Sequence, residues 1–341
     1  MIGLTLEGGG ARGSYQVGAY FALKHCGIKI DGVSGTSIGS FNAAMIAAKQ
    51  ENELLSFWRQ VDISELLELE GFKNIKISTL NKTFANIRKI LKNKGLDTSK
   101  LKKVVTDNLN LEKFYKSSTD FGLVTVKLND LSPIYKYKNQ IPKDKVDDYI
   151  LASCFLPVFK FEKLIDNNYY LDGGFYDNCP FNLWLEKDYE TVYVVSLKSI
   201  GLKVKPKKKA NIIYIKPSRS LGSILNLNQK QINDNIRLGY FDALKVIKKL
   251  DGKKYCFKKR KDWYYKFLSR KVDKRTYNRI SKYFKTDDDK MMIIKSLEFI
   301  MKLEGWTYFK IYSPYKVIKQ IKKNKKEKNI VYKYVKKLKL L

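Results

Sequence analysis

A serine held between two glycines, Gly35-Thr36-Ser37-Ile38-Gly39, is the most chemically pointed pattern in this 341-residue chain. It follows a short apolar stretch, Ile30 to Val33, and precedes a run of small and apolar residues from Ile38 through Phe41, Ala43, Ala44, Met45, Ile46 and Ala47. Strand, tight turn and helix in that order form the context of a nucleophile elbow. The turn is sharp, so glycine on each side removes the Cβ atoms that would collide. The hydroxyl is then presented at a helix N-terminus, where unpaired N–H groups favour developing negative charge. Such a serine needs a base.

The chain has one histidine, His25. It lies near the end of the first helical stretch, beside Cys26 and Gly27, and a helix leaving the elbow side of a sheet carries its last residue to the opposite side. A Ser-His-Asp triad is therefore not expected. A carboxylate within hydrogen-bond reach is the remaining choice, and Asp172 in Asp172-Gly173-Gly174 is the candidate, delivered by the strand Tyr169 to Leu171. Taken alone, Asp-Gly is also an ordinary turn.

A second glycine-rich junction precedes the elbow. Ile2 to Leu6 reads as a strand, Ser14 to Leu23 as a helix, and Gly8-Gly9-Gly10-Ala11-Arg12-Gly13 joins them. Backbone N–H groups free of side chains beside a helix start make an anion cradle. One occupant is the oxyanion formed when Ser37 attacks. Another is a dinucleotide pyrophosphate, because Gly8-x-Gly10-x-x-Gly13 followed by Asp31 also satisfies that fingerprint. The oxyanion is preferred, because a dinucleotide site gives no reason for an elbow serine after the next strand.

These elements predict an α/β fold with a parallel sheet. Residues 60–100 are expected to form a helical cap and Thr98 to Leu109 a helix. Strands are expected at Gly122 to Leu128, Ser132 to Tyr137, Phe159 to Ile165, Thr191 to Leu197 and Ile212 to Ile215. Helices are expected at Asp144 to Cys154, Pro180 to Glu186 and 226–250, with Thr286 to Asp289 capping another through Met301.

Hydrophobic residues make up 44% of the chain and aromatics 13%, which fits a packed globular protein. Apolar runs fall well short of the ~18 residues that span a bilayer, and the first residues carry no signal-peptide pattern. The four cysteines lack metal or disulfide spacing, so no metal or cofactor is expected, and a reducing cytoplasm is the expected location. Of 67 Lys+Arg and 34 Asp+Glu, 41 and 11 fall in residues 201–341. The near-neutral front and strongly basic back point to an anionic partner, a membrane surface or nucleic acid. No nucleic-acid motif is present, so peripheral contact with anionic membrane is preferred.

Taken together and in this order, Gly8-Gly9-Gly10-Ala11-Arg12-Gly13, Gly35-Thr36-Ser37-Ile38-Gly39 and Asp172-Gly173-Gly174 resemble the patatin-like phospholipases. Ala152-Ser153-x-x-x-Pro157 is similar to the family's approach to its aspartate. The resemblance covers roughly residues 1–217. It implies a three-layer α/β/α sandwich with a mainly parallel central sheet and a Ser37–Asp172 dyad. It also implies an oxyanion loop over Gly8–Arg12 and hydrolysis of phospholipid or other acyl-lipid esters without a metal. Residues 218–341 are expected to form a basic, mostly helical extension outside the resemblance. The other function classes are a nucleotide-binding protein using the glycine loop and a nucleic-acid-binding protein using the basic extension.

Overall fold

A computed structural model describes residues 1–62, 97–157, 159–160, 162–224, 228–323 and 329–340. The helical cap expected at 60–100 falls almost wholly outside them.

The sheet begins where the sequence places it. Strand β1 (Ile2–Leu6) is buried from Gly3 onward and pairs in parallel with β2 (Gly32–Thr36) on one side and β6 (Thr191–Val195) on the other. Outside these lie β3 (Asp120–Lys127), parallel to β2, and β7 (Asn211–Ile215), parallel to β6. Strand β4 (Pro133–Tyr137) closes one edge antiparallel to β3, giving the order β4-β3-β2-β1-β6-β7. Burial follows position. Leu4, Leu6, Val33, Leu123 and Val124 are fully buried, as central strands covered on both faces require, whereas Tyr214 on edge strand β7 is exposed.

Parallel neighbours need crossovers, and the helices α1 (Ser14–His25), α2 (Ile38–Ala47), α3 (Glu51–Gln60), α4 (Ser99–Asn108) and α5 (Leu111–Lys116) lie in them. Helix α1 ends at Gly27, whose φ of 74° suits glycine. Helix α2 is buried along nearly its whole length, so its run of small and apolar residues is a packing requirement. The fold is the expected mainly parallel sheet flanked by helices, with a helical C-terminal region.

Strand β5 (Tyr170–Asp172) is short and positions the site. It pairs antiparallel with β3 through Thr125↔Asp172, Val126↔Leu171 and Lys127↔Tyr170. Strand β4 already holds one edge of β3 at Thr125 and Val126. Strand β5 therefore takes the other edge, where β2 stops at Thr36↔Val124. The strand expected at Phe159 to Ile165 does not form as such. Phe159 N–H turns back to Leu156 O at 3.0 Å, its ring packs on Phe155, and a 3-10 turn runs over Ile165–Asn167. Helix α6 (Val146–Ser153) is preceded by a 3-10 turn at Lys143–Lys145, so the expected Asp144 start moves to Val146, and α7 (Asn182–Glu186) fills the helix expected at Pro180 to Glu186.

The chain forms two compact units, Met1–Tyr240 and Phe241–Leu341. The division follows residue 217 because helix α8 (Gln229–Ile247) runs through it. The first half of α8 belongs to the sheet unit. A Cβ at Gly239 would lie 1.9 Å from Tyr15 O on α1, so the two helices touch backbone to backbone.

The second unit contains α9 (Asp262–Ser269), α10 (Lys274–Phe284), α11 (Asp289–Leu303), α12 (Pro314–Lys323) and α13 (Ile330–Lys337). Strands β8 (Cys256–Phe257) and β9 (Ile311–Tyr312) form a short parallel ladder. Its core is aromatic and aliphatic, with Tyr255, Phe257, Tyr265, Leu297, Ile318 and Tyr334 all fully buried. Helix α11 starts where expected, and the Asp288 carboxylate accepts from Met291 N–H at 2.7 Å.

Candidate active site

Ser37 joins β2 to α2 with φ 55° and ψ −134°, a conformation that L side chains avoid. Residues held this way cost of order 1–3 kcal/mol and need surrounding structure to fix them. The fixing contacts are close. A Cβ on Gly35 would lie 2.1 Å from Gly39 O, and one on Gly39 would lie 2.3 Å from Leu6 O. Both elbow glycines are thus demanded by backbone contact. Thr36 turns its hydroxyl inward to Asp177 O at 2.8 Å, while Ile38 opens α2.

The shared edge of β3 brings Asp172 to Ser37. The Ser37 side chain lies close enough to the Asp172 carboxylate to help lower its pKa, and Gly174 N–H donates to its Oδ1 at 2.7 Å. Asp172 is 4% exposed and Ser37 9%. Burial pushes the Asp172 pKa up to about 6, and Ser37 and the Gly174 N–H hold it from going higher. Desolvation disfavours the charged carboxylate, whereas donors favour it. A buried carboxylate that ionises near 6 is charged at neutral pH and basic enough to accept a serine proton.

The segment between α6 and β5 clamps both residues. Ser37 N–H donates to Ser153 Oγ at 3.0 Å, and that hydroxyl donates to Val124 O at 2.8 Å. Asp172 N–H donates to Phe155 O at 2.7 Å. Between them lies the buried Cys154 thiol, whose pKa burial pushes up, so it stays a neutral thiol. In the sequence Cys154 shows only a lack of metal or disulfide spacing. The Ala152-Ser153-x-x-x-Pro157 pattern was the available signal for this clamp.

The glycine loop lies beside the elbow. A Cβ on Gly8 would be 3.2 Å from Ser37 Cβ. Its N–H groups are not equivalent. Gly8 N–H donates to Asn178 O at 3.1 Å, and Asn178 Nδ2 returns a bond to Gly8 O at 3.3 Å. Ala11 N–H donates to Ile224 O at 2.7 Å, and Arg12 N–H donates weakly to Gly9 O at 3.3 Å. Among the described residues, the N–H groups of Gly9 and Gly10 have no hydrogen-bond partner. Gly10 has φ 55°, which the loop needs to turn, and Gly13 sits against Trp58 and Ile38 at the start of α1.

Arg12 is engaged elsewhere. Its Nε donates to Gly222 O at 2.9 Å, and burial lowers the guanidinium pKa. The loop is anchored by Glu7, fully buried, whose carboxylate accepts from Leu197 N–H at 2.7 Å, Ser199 N–H at 3.1 Å and Lys203 Nζ at 2.9 Å. Gly173 packs over β3, since a Cβ there would be 2.2 Å from Val124 O.

Two residues weighed from the sequence lie away from this cluster. His25 ends α1, exposed, with Nδ1 3.3 Å from the Tyr240 hydroxyl. Twelve helical residues put it roughly 18 Å from the loop end of α1. Asp31 Oδ2 accepts from Ile2 N–H at 2.8 Å, tying the start of β2 to β1. Among the described residues, no group of three or more His, Cys, Asp or Glu side chains is arranged to hold a metal.

A strained serine and a buried carboxylate beside a glycine loop now have a match at the level of the family. The patatin-like phospholipase model aligns with residues 4–184. This chain belongs to the patatin-like phospholipase family. It is similar to patatin-like phospholipase domain-containing protein 7 of Mus musculus, at 25% identity over 202 residues, or 58% of this chain and 14% of that protein. Lysophospholipase nte1 of Aspergillus terreus is 59% identical over 46 residues, covering 14% of this chain and 3% of that protein. The chain thus matches only a small part of these much longer patatin-like relatives. The crystal structure of VipD from Legionella pneumophila aligns over 94% of this chain and 79% of that chain, at 14% identity and a TM-score of 0.46. Among the described residues, no helix is long and apolar enough to cross a membrane.

Proposed function

We propose that this patatin-like chain is a serine lipid acyl hydrolase acting on phospholipid or lysophospholipid esters through a Ser37–Asp172 dyad. The observation that carries the reading is the strained Ser37 set by sheet register beside the buried Asp172 carboxylate, whose pKa burial pushes up to about 6. Ionised Asp172 takes the Ser37 proton as Oγ attacks the ester carbonyl. The oxyanion is received by the N–H groups of Gly9 and Gly10, the members of the loop with no internal partner. Asp172 returns the proton to the departing alcohol, leaving an acyl-Ser37 ester. Water then attacks that ester while Asp172 takes its proton, and Asp172 passes the proton to Ser37 Oγ as fatty acid leaves.

Remaining loop residues serve as support in this scheme. Gly8 and Ala11 fix the loop through Asn178 and Ile224, and Arg12 ties it to Gly222. The basic charge of residues 201–341 supports peripheral contact with an anionic bilayer, where each well-placed Lys or Arg contributes about 1 kcal/mol. The dinucleotide alternative is not favoured, because the Asp31 carboxylate that would take a ribose is held by Ile2.

The test is release of fatty acid from phosphatidylcholine and lysophosphatidylcholine, with fluorophosphonate labelling of the same preparations. Hydrolysis and labelling at Ser37, both absent in Ser37→Ala, are expected. Hydrolysis that persists in Ser37→Ala would overturn the proposal.

A further inference from the structure

An exposed apolar lip lies beside the Ser37 site. Strand β6 runs parallel to β1, and β1 to β2, so the loops that follow these three strands leave the sheet at one edge. The turns after β1 and β2 carry the glycine loop and Ser37. The loop after β6 runs Leu197-Lys198-Ser199-Ile200-Gly201-Leu202-Lys203. It touches both halves of the site. A Cβ on Gly9 would lie 2.4 Å from Ser199 Oγ, and Leu202 N–H donates at 3.0 Å to the carbonyl of Gly174, in the turn that follows Asp172. Asn178 completes the join, donating from its backbone N–H to Leu202 O at 2.7 Å and from Nδ2 to Ile200 O at 3.5 Å.

The backbone here is fixed, yet the large side chains face water. Ile200 is 56% exposed, Leu202 60%, and Tyr176, between Gly174 and Asn178, 41%. Single exposed apolar residues are ordinary, but a group of them at the edge of a functional site marks an interaction surface. The charge around them is one-sided. Between Glu190 and Asp234 the chain has nine Lys and Arg and no acidic residue. Lys203 turns inward to Glu7 at 2.9 Å, which leaves exposed Lys198 and Lys205 on either side of the lip.

Aliphatic tips, a tyrosine and flanking lysines suit the boundary of an anionic bilayer. We propose that Tyr176, Ile200 and Leu202 enter such a bilayer and hold the Ser37 site against it. The inference rests on the acyl-hydrolase reading of that site and names the surface from which it takes its substrate. Ser37 and Asp172 are buried, so an ester in a membrane reaches them only where this edge of the sheet meets the lipid. Drawing the whole lipid into water instead would forfeit the burial of its acyl chains. A second copy of the chain fits the lip less well, because lysine is depleted at the cores of protein interfaces.

Docking is measured on full-length Ser37→Ala protein, which separates it from turnover. The protein is sedimented with phosphatidylcholine vesicles, pure or with phosphatidylglycerol added. Tighter binding to the anionic vesicles is expected, weakened about tenfold by Ile200→Ser with Leu202→Ser. Ile200→Trp with Leu202→Trp should bind at least as tightly as the parent, which separates loss of an apolar lip from loss of the fold. Met291→Ser with Leu303→Ser removes exposed apolar side chains of α11 and should change binding less than about twofold. Unchanged binding in the Ile200 and Leu202 serine variant, or an equal loss in the α11 variant, would overturn the lip. A dimer in sedimentation velocity that the serine variant dissolves would assign the lip to a second copy and overturn the bilayer. With Ser37 restored, the serine variant should lose about tenfold more rate on phospholipid vesicles than on soluble p-nitrophenyl butyrate. Equal losses on both substrates would make the loop part of the reacting site and overturn docking as its role. A parent inactive on both substrates would overturn the hydrolase reading, while the binding measurement still decided the lip.

Discussion

Thr36 and Asp172 are consecutive partners along one edge of β3. Thr36 pairs with Val124 where β2 ends, and Asp172 pairs with Thr125 where β5 ends. The two strands run toward each other in a single lane of the sheet and stop head to head. The residue after Thr36 is Ser37, so hydroxyl and carboxylate meet because of sheet register. Each is held by main-chain pairing, which leaves little freedom to separate them.

If this contact is the catalytic dyad, removing either member should abolish turnover without unfolding the chain. Ser37→Ala and Asp172→Asn are each expected to lower kcat/KM for ester hydrolysis by about 10³-fold or more. Circular dichroism should match the parent, since Asn keeps the shape of Asp and its Oδ1 can still accept from Gly174 N–H. A fall of only a few-fold in Asp172→Asn would assign the base elsewhere.

The raised pKa gives a pH dependence of definite sign. Asp172 must be charged to accept the proton, so activity should rise through a single ionisation near pH 6 and stay flat to pH 8. Stability runs the opposite way. The unfolded carboxylate ionises near 3.8 and the folded one near 6, so the folded state holds the proton more tightly. Asp172 therefore penalises folding as pH rises from about 4 through 6, and the full penalty, roughly 3 kcal/mol, applies above that. Asp172→Asn should accordingly melt higher than the parent at pH 7.5 and show little advantage at pH 4. Calorimetry at the two pH values checks this, and an equal shift at both would contradict it.

His25→Ala should keep activity within about twofold, because the imidazole is exposed at the far end of α1 and touches Tyr240. A large loss in a folded variant would mean that histidine takes part in catalysis.

Local patterns carried much of this site, and long-range contacts carried the rest. The elbow, the glycine loop and Asp172-Gly173-Gly174 are readable because each is a few residues whose backbone demands show in residue type. That Gly35 and Gly39 touch backbone is a steric fact visible in the spacing. The head-to-head lane was not readable, because β5 is three residues long and its register is set by the edge that β4 leaves open. The clamp from Ser153 to Phe155 was visible only as a resemblance, since its bond to Ser37 joins residues more than a hundred positions apart. Commitment of the Ala11 N–H to Ile224 is equally remote in sequence. The expected strand at Phe159 to Ile165 shows the opposite failure. Its alternating pattern fits a strand, but Phe159 spends its apolar face on Phe155, and its N–H turns back to Leu156.

Ser153 offers the sharpest test of how the strained elbow is held. Its hydroxyl accepts from Ser37 N–H and donates to Val124 O, so one side chain bridges the Ser37 backbone to the sheet. Ser153→Ala leaves a buried N–H and one carbonyl lone pair unsatisfied. The expected cost is about 1–3 kcal/mol of stability, read as a lower urea midpoint with unchanged slope. If the bridge also fixes the angle at which Ser37 Oγ leaves the turn, kcat should fall about tenfold while KM changes little, because orientation acts on the chemical step. Ser153→Thr keeps the hydroxyl and should recover much of kcat even if its extra methyl lowers stability. A Ser153→Ala enzyme with normal kcat and reduced stability would make the residue a structural brace alone.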